Sequence, residues 1–209
     1  MEVKVINKTG KETGKSLQLS DEVFGIEPNQ HVVWLDVKHY LANQRQGTHK
    51  SKERAEVARS TKKLLRQKGS GGARHGSAKA PIYVGGGRVF GPRPRNYDFK
   101  LNLKVKQLAR KSVLSARLAE NELRVVEDFG FETPKTKSYI EFLNALSLAG
   151  KKTLFVVNGA ENNLYLSARN IPKTKVVDVN SVNTYDLVNT DTILLAEGAI
   201  SQLETILKD

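Results

Sequence analysis

The chain has 209 residues, 39% hydrophobic and 27% charged, with 34 Lys and Arg against 22 Asp and Glu for a net charge of +12. That length supports one sizeable domain or two small ones, and the absence of cysteine excludes disulfides, thiolate metal sites and a cysteine nucleophile. No apolar run approaches the roughly 18 residues that span a bilayer, and Met1-Glu2-Val3-Lys4 opens no signal-peptide region, so a soluble cytoplasmic protein without a membrane partner is expected.

In chain order, Val3-Lys4-Val5-Ile6 reads as a short strand, Asn7 to Gly14 as turn-rich, and Ser16 to Leu19 alternates again. Pro28-Asn29 precedes a helical pattern with Val33, Val37, Tyr40 and Leu41 on one face. Residues 44–100 then break the periodicity. They hold 15 basic and 3 acidic residues, whereas 1–43 and 101–209 together hold 19 of each, so the whole net charge lies in one internal stretch. That stretch has 9 of the 16 glycines and only eight Val, Ile, Leu or Phe, too few for burial to offset its ordering entropy. Ordinary solvated loops mix both signs of charge. Near-exclusion of acids points instead to a polyanionic partner.

From residue 101 the order is regular. Leu103 to Asn121 carries Val105, Ala109, Val113 and Ala116 at helical spacing, and Leu123 to Phe129 follows as a strand. Tyr139, Phe142, Leu143 and Leu146 mark a helix, and Thr153 to Val157 is an apolar strand of the kind buried on both faces. Leu164, Ala168 and Ile171 suggest a helix stopped at Pro172, then come a strand at Lys175 to Val179 and a short helix at Thr184 to Val188. Thr192 to Ala196 is the last strand, and Ile200, Leu203 and Leu207 lie on a final helix. Strands spaced by helices imply parallel crossovers. The expected fold class is α/β, a three-layer sandwich around a mainly parallel sheet, with a long extended internal loop. Residues 1–43 and 101–209 together form the globular domain, and 44–100 is the basic loop inserted in it. Half that length, at roughly 3.3 Å per residue, reaches at most about 90 Å.

Motifs for chemistry are thin. Gly10-Lys11-Glu12-Thr13-Gly14-Lys15-Ser16 has three residues between its glycines where a phosphate loop needs four, and strand-like Ser16 to Ser20 follows where a helix is required. It reads as a hairpin turn. Gly69-Ser70-Gly71-Gly72 and Gly85-Gly86-Gly87 lack the third glycine of a dinucleotide fingerprint and read as places for close backbone approach. His31, His39, His49 and His75 have no metal-ligand spacing. Asp178, Asp191 and Glu197 stand at strand ends, where an α/β enzyme places its chemistry, but read as capping and turn residues. No catalytic residue, metal or cofactor is expected.

The stretch 44–100 carries the signal. Arg45, His49, Lys50, Lys52, Arg54, Arg59, Lys62, Lys63, Arg66, Lys68, Arg74 and His75 punctuate its first arm, and Lys79, Arg88, Arg93 and Arg95 its second. Arginine offers phosphate a planar fork and lysine a mobile point charge. Tyr83, Phe90, Tyr97 and Phe99 are interleaved, as groups that stack on exposed bases or, for Tyr97 and Phe99, pin the loop to its own base.

The blocks Gly47-Thr48-His49-Lys50-Ser51-Lys52, Arg54-Ala55-Glu56-Val57, Arg66-Gln67-Lys68-Gly69-Ser70-Gly71, Pro81-Ile82-Tyr83, Val89-Phe90-Gly91-Pro92-Arg93 and Leu108-Ala109-Arg110-Lys111-Ser112 follow in order. In them the chain resembles the bacterial ribosomal protein L-four family of the large subunit. The resemblance implies a globular α/β domain on the subunit surface and an internal loop threaded into large-subunit ribosomal RNA. It also implies a loop tip that helps line the nascent-peptide exit tunnel, here Arg66, Gln67, Lys68, Gly69, Ser70, Gly71, Gly72, Ala73 and Arg74. Ser60 to Leu65 stands where many members have a glycine-rich run and a tryptophan, and Gly72 where an arginine is common. The implied partners are that RNA, neighbouring ribosomal proteins and the nascent peptide, with no homo-oligomer, in the cytoplasm within the ribosome. The rival readings are an α/β enzyme with the loop as a lid, and a free RNA-binding regulator or chaperone such as a repressor of its own operon.

Overall fold

Residues 1–159 and 161–208 are described by the computed structural model. They fall into two units, one of Met1–Leu41 with Lys100–Asp209 and one of Ala42–Phe99.

The first unit begins with β1 (Glu2–Ile6) and β2 (Glu12–Gln18), an antiparallel pair. Their connection is a turn built by Asn7, whose side-chain oxygen accepts the N–H groups of Thr9 and Lys11 at 2.9 and 3.0 Å. Gly10 closes it at φ +80°, where a Cβ would lie 2.5 Å from the Ala145 carbonyl oxygen. Gly14-Lys15-Ser16 lies inside β2, so the phosphate-loop-like stretch is a hairpin. The strands β3 (Leu123–Val126), β4 (Thr153–Val157), β5 (Thr174–Asp178) and β6 (Thr192–Ala196) run parallel, with β1 parallel to β3, in the sheet order β2-β1-β3-β6-β4-β5.

Every residue of β4 and β6 is buried. Such strands need cover on both faces. The helices supply it in two groups. The first is α4 (Thr136–Ala145) with α5 (Asn162–Ala168). The second gathers α1 (Asp21–Phe24), α3 (Leu103–Ala119), α6 (Thr184–Asn189) and α7 (Glu197–Lys208). This is the expected three-layer α/β arrangement around a mainly parallel sheet. An aromatic cluster fills part of the core: Phe129 lies 4.9 Å from Phe142 and 5.8 Å from Phe155, and Tyr139 5.7 Å from Phe142, between ring centroids.

Tyr139 is fully buried, and among the described residues its hydroxyl has no hydrogen-bond partner. Burial pushes the phenol well above its ordinary range. A buried, unbonded hydroxyl costs about 1–3 kcal/mol. Tyr139→Phe keeps the ring and removes that cost, so the midpoint of urea unfolding is expected to rise by the equivalent of about 1 kcal/mol.

Several elements differ from the sequence reading, β2 among them, since it starts at Glu12 inside the stretch read as a turn. The helix α2 (Gln30–Asn43) forms, but Val33 and Val37 are only half-buried and Leu41 is exposed. Its buried residue is Asp36, whose carboxylate accepts a hydrogen bond from the Thr184 hydroxyl. A carboxylate can be buried where a hydroxyl donor meets it. The third strand stops at Val126, and Phe129 leaves the sheet for the aromatic cluster. The helix expected to reach Ile171 ends at Ala168. The single turn of α1 went unanticipated because four residues carry no measurable period, although Val23 and Phe24 are both buried.

Candidate nucleic-acid interface

At the carboxyl end of the parallel strands, where α/β enzymes hold their chemistry, the protein has a small cleft. It has a volume of about 190 Å³ and is lined by Asp128, Phe129, Phe155, Val157, Asn158, Glu161 and Ala196. Two of its polar side chains, Asp128 and Asn158, are already engaged in structure. Asp128 accepts the Gly198 N–H at 2.9 Å, and the Asn158 side-chain amide donates to the Gly198 carbonyl at 3.2 Å. Asp191 stands at the opposite end of the sheet, just before β6, where it accepts the Lys152 N–H at 3.0 Å; Glu197, just after β6, lies 3.9 Å from the Lys15 ammonium. Asp178 accepts hydrogen bonds from the Asn180 side chain at 2.9 Å and from the Gly159 N–H at 3.0 Å. The side-chain bond from Asn180, then these backbone bonds, hold its carboxyl below the usual range. Among the described residues, no three His, Asp or Glu side chains are grouped to hold a metal ion, and no helix is long and apolar enough to cross a membrane.

The Asp178 carboxylate contributes to stability in a pH-dependent way. Its folded pKa lies below the unfolded value, so its contribution is present at neutral pH and is lost as the pH falls through the depressed value. Solvent exposure keeps that contribution under about 1 kcal/mol. Asp178→Asn is therefore expected to lower stability slightly at pH 7, by urea unfolding, with the difference shrinking as the pH is taken below the ordinary carboxylate range.

The second unit holds 14 basic residues against 3 acidic ones. Between residues 44 and 102 its described residues form neither helix nor strand, apart from one antiparallel bridge between Lys63 and Ser77. Two arms run side by side, joined rung by rung. The Arg95 N–H donates to the Gly47 carbonyl at 3.1 Å, the Ser51 N–H to Pro92 at 3.0 Å and the Arg88 N–H to Lys52 at 2.9 Å. Further along, the Ser77 hydroxyl donates to the Ser60 carbonyl at 2.9 Å and the Leu64 N–H to Gly76 at 3.1 Å. Glycines make this approach possible. A Cβ on Gly87 would collide with the Arg54 backbone, and one on Gly91 would lie 2.5 Å from the Ser51 Cβ. Gly69 and Gly71 differ: both have left-handed φ, +82° and +67°, and nothing lies within 4 Å of an added Cβ. They turn the chain rather than pack it.

The cations sort into two sets. Lys50 pairs with Glu56, and Arg93 with Glu53 at 2.5 Å. The bond from Lys50, followed by one from the Glu53 N–H, lowers the Glu56 carboxyl below its ordinary value, so that pair is ionised at neutral pH. The Arg59 guanidinium donates to the Val84 carbonyl at 2.7 Å and the Ala78 carbonyl at 3.3 Å, tying the arms together. Arg45 and Arg95 lie over the ring of Tyr97, 3.6 and 4.5 Å from its centroid. The hydrogen bond with Arg95 draws the Tyr97 phenol below its ordinary pKa.

The second set is exposed, apart from the half-buried Lys79. Among the described residues, His49, Lys52, Arg54, Lys62, Lys63, Arg66, Lys68, Arg74, Lys79 and Arg88 have no acidic partner. Lys63 donates to the Gln67 side chain and His75 meets the Tyr83 hydroxyl. Residues 61–74 are all exposed, including Arg66, Gln67, Lys68, Gly69, Ser70, Gly71, Gly72, Ala73 and Arg74. Composition could not reveal the His75–Tyr83 pair, nor that Glu53 and Glu56 each occupy one cation. Both depend on which residue of one segment faces which of the other.

Comparison with known proteins agrees in extent with both units. The model of the ribosomal protein L4/L1 family matches residues 17–206. The chain is 58% identical over 207 residues to the large ribosomal subunit protein uL4 of Cytophaga hutchinsonii, covering 99% of this chain and 100% of that one. It is 58% identical over 204 residues to the uL4 of Flavobacterium psychrophilum, 98% of each chain, and 54% identical over 207 residues to that of Phocaeicola vulgatus, 99% of this chain and 100% of that one. With the basic arms and the four strands from β3 to β6 inside the family match, and the relatives aligned over nearly the whole chain, the chain belongs to the ribosomal protein L4/L1 family.

Proposed function

We propose that this chain is a structural, non-catalytic constituent of the large ribosomal subunit, in the bacterial cytoplasm. Its basic arms bind large-subunit ribosomal RNA and support its assembly, and the tip from Arg66 to Arg74 helps line the nascent-peptide exit tunnel and meets the nascent peptide. Residues 1–43 and 101–209 act as the anchoring domain, with 44–100 as the RNA-binding loop, and neighbouring large-subunit proteins are its other partners.

One observation carries the reading. A unit with 14 basic and 3 acidic residues has two of its acids in ion pairs, which leaves a run of exposed cations without acidic partners. RNA phosphates are the complement such a run requires, and release of their counterions drives the binding. Exposed glycine-rich backbone at Gly69, Gly71 and Gly72 suits a crowded RNA channel, because no side chain blocks approach. Sucrose-gradient fractionation of cells tests it. The protein is expected with free large subunits and intact ribosomes, at one copy per subunit. Confinement to the soluble top fractions overturns the reading in favour of a free RNA-binding regulator.

A further inference from the structure

Four aromatic residues are interleaved with the cations of the arms, and the structure separates them. The Tyr83 hydroxyl meets His75, with ring centroids 5.7 Å apart. Tyr97 lies beneath two guanidinium groups. Phe99 is half-buried and engaged. Phe90 is 98% exposed.

That exposure accompanies a pinned backbone. Two residues before Phe90, the Arg88 N–H bonds the Lys52 carbonyl at 2.9 Å; two residues after it, the Pro92 carbonyl accepts the Ser51 N–H at 3.0 Å. Gly87 and Gly91 bracket it at positions where a Cβ would strike the other arm. The backbone on both sides of the ring is thus tied to the other arm while the ring itself stands in solvent. Leaving a phenylalanine in water forgoes the gain of burying it, which a partner surface can recover. Arg88, two residues before it in the chain, is exposed and has no acidic partner among the described residues.

We propose that Phe90 is a stacking platform for an unpaired base of RNA. An aromatic face offered two residues along the chain from a free cation matches one nucleotide, the ring taking the base and the guanidinium the phosphate. This rests on the reading of the arms as RNA-binding. It adds a contact that depends on base exposure rather than on charge.

The test uses the full-length protein and deproteinised large-subunit ribosomal RNA from the same organism, in filter binding across a salt series. Unfolding of each variant is checked by circular dichroism and is expected to be unchanged, since the ring packs on nothing. Phe90→Ala and Phe90→Leu are each expected to weaken binding about tenfold with an unaltered salt slope, and Phe90→Trp to bind as the parent. Ultraviolet crosslinking is expected to join Phe90 to a base. If the parent binds tightly and Phe90→Leu binds equally well, the stacking platform is overturned while the RNA-binding reading stands. If the parent shows no salt-dependent binding, the RNA-binding reading fails first and takes the platform with it. If Phe90→Ala binds RNA fully yet drops out of particles assembled with the other large-subunit proteins, the ring meets a protein and the proposal is overturned.

Discussion

Removing residues 60–78, and joining Arg59 to Lys79 through two glycines, is expected to leave the six-stranded unit folded and to cut affinity for large-subunit ribosomal RNA at least about tenfold. The excised segment belongs wholly to the second unit, and it contributes nothing to the hydrophobic cluster around the sheet. Its ends already meet, since the Ser77 hydroxyl donates to the Ser60 carbonyl. The cut therefore closes a gap one hydrogen bond wide. What it takes away is Lys62, Lys63, Arg66, Lys68 and Arg74, with no acid among them. Each phosphate contact adds roughly 0.7–0.9 to the dependence of log affinity on log salt, so loss of these five cations is expected to lower that slope by about 3.5–4.5. Circular dichroism melting measures the first effect and salt-titrated filter binding the second. Loss of a cooperative melt means that the arms support the core. An unchanged slope removes the tip from the RNA interface.

Phe155→Ala is expected to destabilise the protein by about 3–5 kcal/mol. Phe155 is 1% exposed, in the middle of β4, aligned with Val176 on one neighbouring strand and Leu194 on the other. Its ring stacks on Phe129 and lies 6.0 Å from Phe142. Truncation opens a hole in an all-apolar layer that sheet hydrogen bonds keep from collapsing. The whole stability of a domain is about 5–15 kcal/mol, so the loss is a large share. Urea unfolding reads it as a lower midpoint with the same slope. A change below about 1 kcal/mol would mean that the cluster repacks around the gap. The same residue type at Phe90 is expected to change stability by no more than about 0.5 kcal/mol.

Much of the fold was legible because short-range periodicity reports burial. Thr192 to Ala196 forms a strand with the bounds its apolar run suggested, and Thr153 to Val157 does likewise. Where the period was short or mixed, reading failed. The four residues of α1 have no repeat to count. The apolar face of α2 misled, because Asp36 is the residue that turns inward to Thr184, and a hydroxyl 148 residues away leaves no trace in local sequence. Within the arms, the sixteen basic and histidine positions could be named from composition. Their division could not: Arg45, Lys50, Arg59, Arg93 and Arg95 lean on partners inside their own unit, while Lys62, Arg66, Lys68 and Arg74 are exposed without acidic partners.

By itself the sequence determined where the charge sits, that strands alternate with helices on both sides of it, and which family the motif blocks resemble. Each of these is a property of residues near one another along the chain. The tertiary structure alone decided that β6 lies between β3 and β4, that two acids each occupy a cation, and that Phe90, of four aromatic candidates, is held out in solvent. Those outcomes depend on which backbone groups pair across long separations. A pairing of that kind is set by the packing and hydrogen bonding of the whole unit, and no local window of sequence contains it.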